Sequence, residues 1–356
     1  MSSFSFSFSG EDIEDDGGTH QSTEAAPPPA TSASAFPVVG KPLLPAIRHD
    51  IADMMAKLPS KIAYSLLDVD LDGQGSMQLP RRELWDVRVQ LMAEDDGETE
   101  AGLGVHDVKT GVYEGGFKSW ESSVDLVKVL ATSRPFSDSS NPQISRIVEL
   151  GCGTALPSLA LFQWAMASDA SPLSFTLADY NPTVLQLVTL PNFILAWALH
   201  HRERLLLLQE AFYTEGELDL TPDVHTAFLS FLEKRGLDLL FFSGGWSPEF
   251  VNLFTNIQAA INYPSSHTAT VILGAETIYS PFALSSFLET IFALAQHEKS
   301  CGRLPTVLVG AKKLYFGVGG SLDDFVVQAR ERGAIIEQLR EETEGVRRGV
   351  VRCTLP

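Results

Sequence analysis

Two glycines one residue apart close an apolar run, in the stretch Val148-Glu149-Leu150-Gly151-Cys152-Gly153-Thr154. Neither carries a Cβ, so backbone here can pass close beneath a bound molecule. A dinucleotide fingerprint would place its third glycine at position 156, where this chain has Leu156, so a pyrophosphate is the less natural guest. Asp179 ends the next apolar run, in LADYNP at 177–182. A carboxylate in that place can accept hydrogen bonds from both hydroxyls of a ribose. The rival reading is an Asp capping a helix with Pro182 near its first turn; the glycine stretch upstream favours the nucleoside role. Trp246 follows another apolar run through Gly244 and Gly245, where an indole can wall a purine ring. Glu276 and Tyr279 stand just past 271–273, on the rim where substrates of such an architecture enter. Glu276 would also suit a helix start, where the dipole favours a carboxylate.

These residues need strands to end on and helices to start from. Strand-like runs fall at 144–150, 174–178, 237–242, 270–273 and 306–309, with later ones at 334–337 and 350–354, and helical patterns at 156–166 and 183–199. Alternation of this kind predicts an α/β fold: a Rossmann-like, doubly wound, mostly parallel seven-stranded sheet preceded by an N-terminal extension. Three regions follow. Residues 1–40, with Phe4, Phe6 and Phe8, an acidic cluster and a Pro/Ala/Ser run, read as a disordered tail or a docking segment. Residues 41–140 are expected to form an extension that packs on and covers the site, and 141–356 the domain that carries it. In the extension, Ser122 or Ser123 can cap a helix. Asp68, Asp70, Asp72 and Gly73 imitate half of an EF-hand loop, but Leu79 stands where the bidentate Glu belongs, so a turn is expected. The segment 214–235 is longer than a simple connection requires.

The net charge of −19 disfavours broad binding to nucleic acid or an anionic membrane, while it attracts basic protein partners. Three scattered cysteines make neither a disulfide framework nor a paired metal site, and the histidines, including His106, His200, His201 and His267, show no ligand-like spacing. No metal is expected. No run approaches the roughly 20 apolar residues of a membrane span, so a soluble protein of the cytosol or nucleus is expected.

Together the glycine stretch, Asp179 and Trp246 resemble the S-adenosylmethionine-dependent methyltransferases of the Rossmann-like class. Four further segments resemble the protein-histidine methyltransferase family: GVYEGGFKSWE at 111–121, SGGW at 243–246, AETIY at 275–279 and AKKLYFGVGG at 311–320. The likeness runs from about Leu79 to the C-terminus. It implies S-adenosyl-L-methionine as cofactor, with Ser119, Trp120, Glu121, Ser122 and Ser123 laid against it. The nucleoside contacts would come from Glu149, Gly151, Gly153, Asp179, Tyr180, Asn181, Gly244, Gly245, Trp246 and Ala275, where Gly245 and Ala275 depart from commoner acidic and Ser residues. Glu276 and Tyr279 would serve catalysis, and the loop 317–320 would line a peptide entrance. The acceptor implied is a histidine in a basic protein of the large ribosomal subunit, modified by a monomeric enzyme with no direct nucleic-acid or membrane contact. A methyltransferase for lysine or another side chain, or a non-catalytic cofactor-binding factor in ribosome assembly or translation, would share the same crevice.

Overall fold

The computed structural model describes residues 42–94, 115–133, 135–136, 143–168, 172–260, 268–315 and 320–355. The tail 1–40, His106, His267 and the glycines Gly317 and Gly319 lie outside the described residues.

The extension opens with β1 (Ile47–His49) and α1 (Ile51–Ala56), capped by Asp50, whose Oδ1 accepts from Ala52 N at 2.8 Å and Asp53 N at 3.2 Å. A hairpin of β2 (Lys61–Asp70) and β3 (Ser76–Arg82) follows, then α2 (Leu84–Glu94) and α3 (Glu121–Ser133). The EF-hand imitation is this hairpin's turn: Asp70 Oδ1 caps Asp72 N at 3.0 Å, and Asp72 pairs with Lys128 at 3.1 Å and with Arg340. The serines were expected to cap α3 and do not. The helix already begins at Glu121, and Ser123 N donates to Trp120 O at 3.0 Å.

From residue 143 strands and helices alternate as the pattern requires: β4 (Gln143–Leu150), α4 (Leu156–Ala167), β5 (Leu173–Asp179), then α5 (Pro182–Val184) and α6 (Leu190–His201). A π-helical turn, Leu185–Thr189, joins the last two into one long rod. This rod corrects the expectation that no run is apolar enough to span a membrane. An 18-residue window of the rod Pro182–His201 has a mean hydropathy of 1.4, yet 78% of that window is buried inside the protein, as befits a core helix. Next come α7 (Leu206–Ala211), β6 (Glu217–Asp219), α8 (Pro222–Arg235), β7 (Leu237–Ser243), α9 (Pro248–Ala260), β8 (Thr268–Ala275), α10 (Pro281–Ser300), β9 (Leu304–Lys312), α11 (Leu322–Glu331), β10 (Ile335–Glu342) and β11 (Arg348–Thr354).

The large sheet runs in the order β1-β7-β5-β4-β8-β9-β11-β10. Seven strands are the expected doubly wound set, parallel from β7 through β9, with β11 antiparallel to both of its neighbours. The eighth, β1, is added antiparallel to β7 by the extension. The chain winds outward from β4 through β5 to β7 and then returns to β8 on β4's other side. That reversal opens a crevice at the strands' C-terminal ends. The smaller sheet, β3-β2-β6, explains the long segment 214–235: β6 pairs with β2 while α8 buries Val224, Phe228 and Leu232, so the segment ties extension to main sheet.

Two buried ionic clusters brace this frame. Arg82 reaches Asp86 at 2.7 Å, Gln90 at 2.8 Å and Leu187 O at 3.0 Å, which locks β3 to the π turn. At the far end of the sheet from the crevice, Glu298 takes Arg303 at 2.5 and 2.9 Å and Thr270 Oγ1 at 2.5 Å. Burial alone would raise the Glu298 pKa; Arg303 and Thr270 hold it below the usual range instead.

Candidate active site

The crevice is a cleft with about 990 Å³ of empty space, its open mouth included. Its floor is the turn after β4. Gly151 has φ +65°, and a Cβ there would fall 2.5 Å from Thr277 Cγ2 and 3.7 Å from the Trp246 ring, so only glycine leaves the floor open. Gly153 (φ +51°) and Ala155 (φ +56°) continue the left-handed turn. Thr189 Oγ1 to Gly153 O at 2.7 Å and Asn192 Nδ2 to Thr154 O at 3.0 Å hold it, and Asn192 Oδ1 in turn takes Arg82 N at 2.8 Å. The extension's anchor and the site's floor therefore share one hydrogen-bond chain.

Asp179, at the end of β5, lines the wall beside that floor. Its Oδ2 accepts from Gly153 N at 3.0 Å and its Oδ1 from Asn181 N at 3.1 Å. Burial pushes its pKa up to about 6 against the pull of these backbone donors. The rival reading of Asp179 as a helix cap fails: Asn181 caps α5 instead, its side chain accepting from Thr183 N at 2.9 Å. Tyr180 also lines the cleft, and its hydroxyl accepts Leu44 N at 3.0 Å.

On the far side, Trp246 lines the cleft against Phe287, ring centroids 5.7 Å apart, and its buried Nε1 has no protein partner. Gly245 is covered by Leu43, whose Cδ1 lies 2.8 Å from where a Cβ would stand, and Gly245 N donates to Leu44 O at 2.9 Å. Leu43 and Leu44 of the extension thus roof this side of the cleft.

Several predicted contacts lie elsewhere. Glu149 does not line the cleft: it is fully buried beneath the glycine turn, where its Oε2 takes Ser158 N at 3.0 Å at the start of α4. Burial raises its pKa to about 7. Gly244 faces the extension, where a Cβ would meet Pro45 O at 2.1 Å. Ser119 bonds Thr154 Oγ1 at 3.2 Å, and Glu121 lies outward near Arg348, 3.7 Å away. Ser122 is buried against Glu276. Trp120, Ser123 and Ala275 do line the cleft. Ser119 and Ser122 instead bond Thr154 and Glu276, which do line the cleft, a distinction that motif position does not carry.

Glu276 and Tyr279 both reach the cleft. Glu276 accepts from Ser122 Oγ on one oxygen and from Tyr315 OH on the other. Burial raises its pKa, and those two hydroxyls together with Lys312 oppose the rise. Sequence reasoning missed Leu43, Thr277, Phe282 and Tyr315. Tyr315 stood within the quoted 311–320 motif without being singled out, and Leu43 had no local signal at all.

The donor set suits a nucleoside with an apolar, positively charged extension. A glycine floor, the Asp179 carboxylate and an indole wall are present, whereas Lys118 is the only basic side chain among the described lining residues, too little to hold a pyrophosphate. Histidine protein methyltransferase 1 of Saccharomyces cerevisiae is 36% identical over 270 residues, covering 69% of this chain and 67% of the yeast protein. Its Schizosaccharomyces pombe namesake is 33% identical over 295 residues, covering 81% and 78%. The chain belongs to the histidine protein methyltransferase family. The Bos taurus homologue of these methyltransferases is 29% identical over 251 residues, covering 70% of this chain and 57% of its own length. No family model matches the chain. Among solved structures, a putative class I S-adenosylmethionine-dependent methyltransferase from Listeria monocytogenes is 10% identical, covers 81% of this chain and 70% of its own, and gives a TM-score of 0.34.

Proposed function

We propose that this methyltransferase uses S-adenosyl-L-methionine to methylate a ring nitrogen of a histidine in a large-subunit ribosomal protein. Its membership of the histidine protein methyltransferase family carries the reaction class, and the cleft's residues fit the cofactor. The cofactor supplies an activated methyl on a sulfonium. Gly151 and Gly153 give it a close floor, Asp179 accepts from the ribose hydroxyls, and Trp246 walls the adenine. Trp120 offers a π-face to a cation.

An unperturbed imidazole with pKa near 6.5 is largely neutral at cellular pH and already presents a lone pair. The protein therefore needs orientation more than a strong base. Glu276 serves as hydrogen-bond acceptor for the imidazole N–H, which leaves the other nitrogen to attack, and Tyr279 shapes the acceptor pocket. The net charge of −19 suits a basic ribosomal partner, met in the cytosol or nucleus by a monomeric enzyme.

Radiolabelled cofactor, incubated with the purified protein and ribosome-containing or ribosome-depleted lysate, tests the reading. Label on a histidine of a large-subunit protein, found by mass spectrometry, is the expected result. Label on lysine would replace the acceptor, and cofactor binding by calorimetry with no product would favour a non-catalytic role.

A further inference from the structure

Glu276 is held by more restraints than a rim carboxylate needs. Its φ of +56° is left-handed, a conformation rare for side chains other than glycine, Asn and Asp. Outliers of this kind persist where the surroundings over-determine them, and they cluster at functional sites. The surroundings here come from three elements. β9 supplies Gly310 O, which takes Glu276 N at 2.9 Å. α3 supplies Ser122 Oγ, and the residues after β9 supply Tyr315 OH, one hydroxyl to each carboxylate oxygen. Helix α3 can lie this close because Gly310 has no side chain: a Cβ there would stand 2.9 Å from Ser122 O. A carboxylate used only to brace two walls would not need to face the cleft, and Glu276 lines it.

We infer that Tyr315 is a positioning residue for methyl transfer: with Ser122 it fixes the Glu276 carboxylate so that one remaining lone pair grips the acceptor imidazole's N–H. This inference rests on the histidine acceptor proposed above. In the transfer the free ring nitrogen's lone pair forms the new N–C bond while the C–S bond breaks, its electron pair leaving on sulfur. The positive charge arriving on the ring is stabilised by the carboxylate, and the N–H proton passes to solvent afterwards. A fixed carboxylate also decides which nitrogen is exposed, because only one tautomer satisfies it.

The groups facing Glu276 set the sign of the test. Burial and Glu121 on α3 favour its protonated form; Ser122, Tyr315 and Lys312 favour the ionised one. Lys312 Nζ lies 5.2 Å from the Trp120 ring centroid and 5.7 Å from that of Tyr315. Deleting one hydroxyl donor therefore raises the proton affinity of Glu276 and moves the acid limb of the rate profile to higher pH.

The experiment compares Tyr315→Phe and Ser122→Ala with the wild-type full chain. It reads the initial rate of histidine methylation in ribosome-containing lysate across pH, S-adenosylhomocysteine affinity by calorimetry, and melting temperature. For Tyr315→Phe we expect a rate loss of roughly 10- to 100-fold at neutral pH, partial recovery at alkaline pH, and cofactor affinity within about twofold of wild type. Ser122→Ala should shift the profile in the same direction. Wild-type rate and profile in both variants would overturn the inference, as would a rate loss matched by lost cofactor binding with the profile unmoved. A wild-type protein that binds cofactor yet methylates no histidine would remove the functional reading and this inference together, whereas variants matching an active wild type remove the inference alone.

Discussion

Replacing Asp179 by Asn keeps the side chain's size and removes its charge. The carboxylate accepts Gly153 N at 3.0 Å and Asn181 N at 3.1 Å, one on each oxygen. An amide can keep one of these bonds and must turn its NH2 toward the other donor, which leaves a backbone N–H unsatisfied at about 1–3 kcal/mol. Against this, the substitution relieves a buried charge whose cost is visible in a pKa pushed up to about 6. The two effects oppose each other, so the melting temperature should move little. Cofactor affinity has no such offset. Hydrogen bonds to a charged acceptor contribute roughly 1.5–3 kcal/mol and to a neutral one about 0.5–1.5 kcal/mol. Losing the charge at both ribose hydroxyls should therefore weaken binding by about 2–3 kcal/mol, on the order of 30- to 150-fold. In the wild type, affinity should also fall as pH drops through about 6, where Asp179 takes up a proton, and the variant should lack that limb. Calorimetric titration with S-adenosylhomocysteine across this range reads both effects. Equal affinity above the limb, or the same pH dependence in both proteins, would refute the placement of the ribose on Asp179.

Glu149 predicts a different pH signature. Its folded pKa of about 7 lies above the 4.5 of an unperturbed Glu, so the folded state binds this proton more tightly and stability from this group falls as pH rises through 7. Glu149→Gln, which can keep the bond to Ser158 N, should flatten that dependence in chemical denaturation while cofactor affinity stays unchanged; a parallel loss of affinity would place Glu149 in the cleft after all. Gly151→Ala should weaken cofactor binding at least tenfold, since the left-handed backbone costs a Cβ about 1–2 kcal/mol and the new carbon would stand 2.5 Å from Thr277 Cγ2; unimpaired titration would mean the floor is not used. Arg303→Ala strips Glu298 of its bidentate partner and should cost about 3–5 kcal/mol of stability, measured by denaturant unfolding, without altering methyl transfer in the protein that remains folded.

Most of the fold was legible because strands buried on both faces read as continuous apolar runs and the helices between them keep their period. β5 and β7 fall within a residue of their expected ends. β10 was read short, at 334–337, and extends to Glu342. As an edge strand it keeps one side exposed, and Glu337, Arg340 and Glu341 interrupt the apolar signal there. The long apolar rod through α5 and α6 failed in the other direction: composition cannot distinguish a helix surrounded by protein from one surrounded by lipid.

By itself the sequence determined the glycine floor, the carboxylate at the end of β5 and the indole beyond β7, because each depends on a residue type at a fixed distance from a strand's end. It also carried enough motif to place the chain in its family. Which motif residues face the ligand was decided only in three dimensions. Glu149 and Ser122 differ from Asp179 and Ser123 by the direction in which their side chains leave the backbone, and that direction follows from packing against α4 and Glu276. Leu43 reaches the cleft and Ser122 meets Glu276 across separations of more than a hundred residues, and Tyr315 joins them from 39 residues beyond Glu276, none of which a local pattern records. Sequence spacing sets what one segment can do; the closing of separate segments around a shared core sets what they do together.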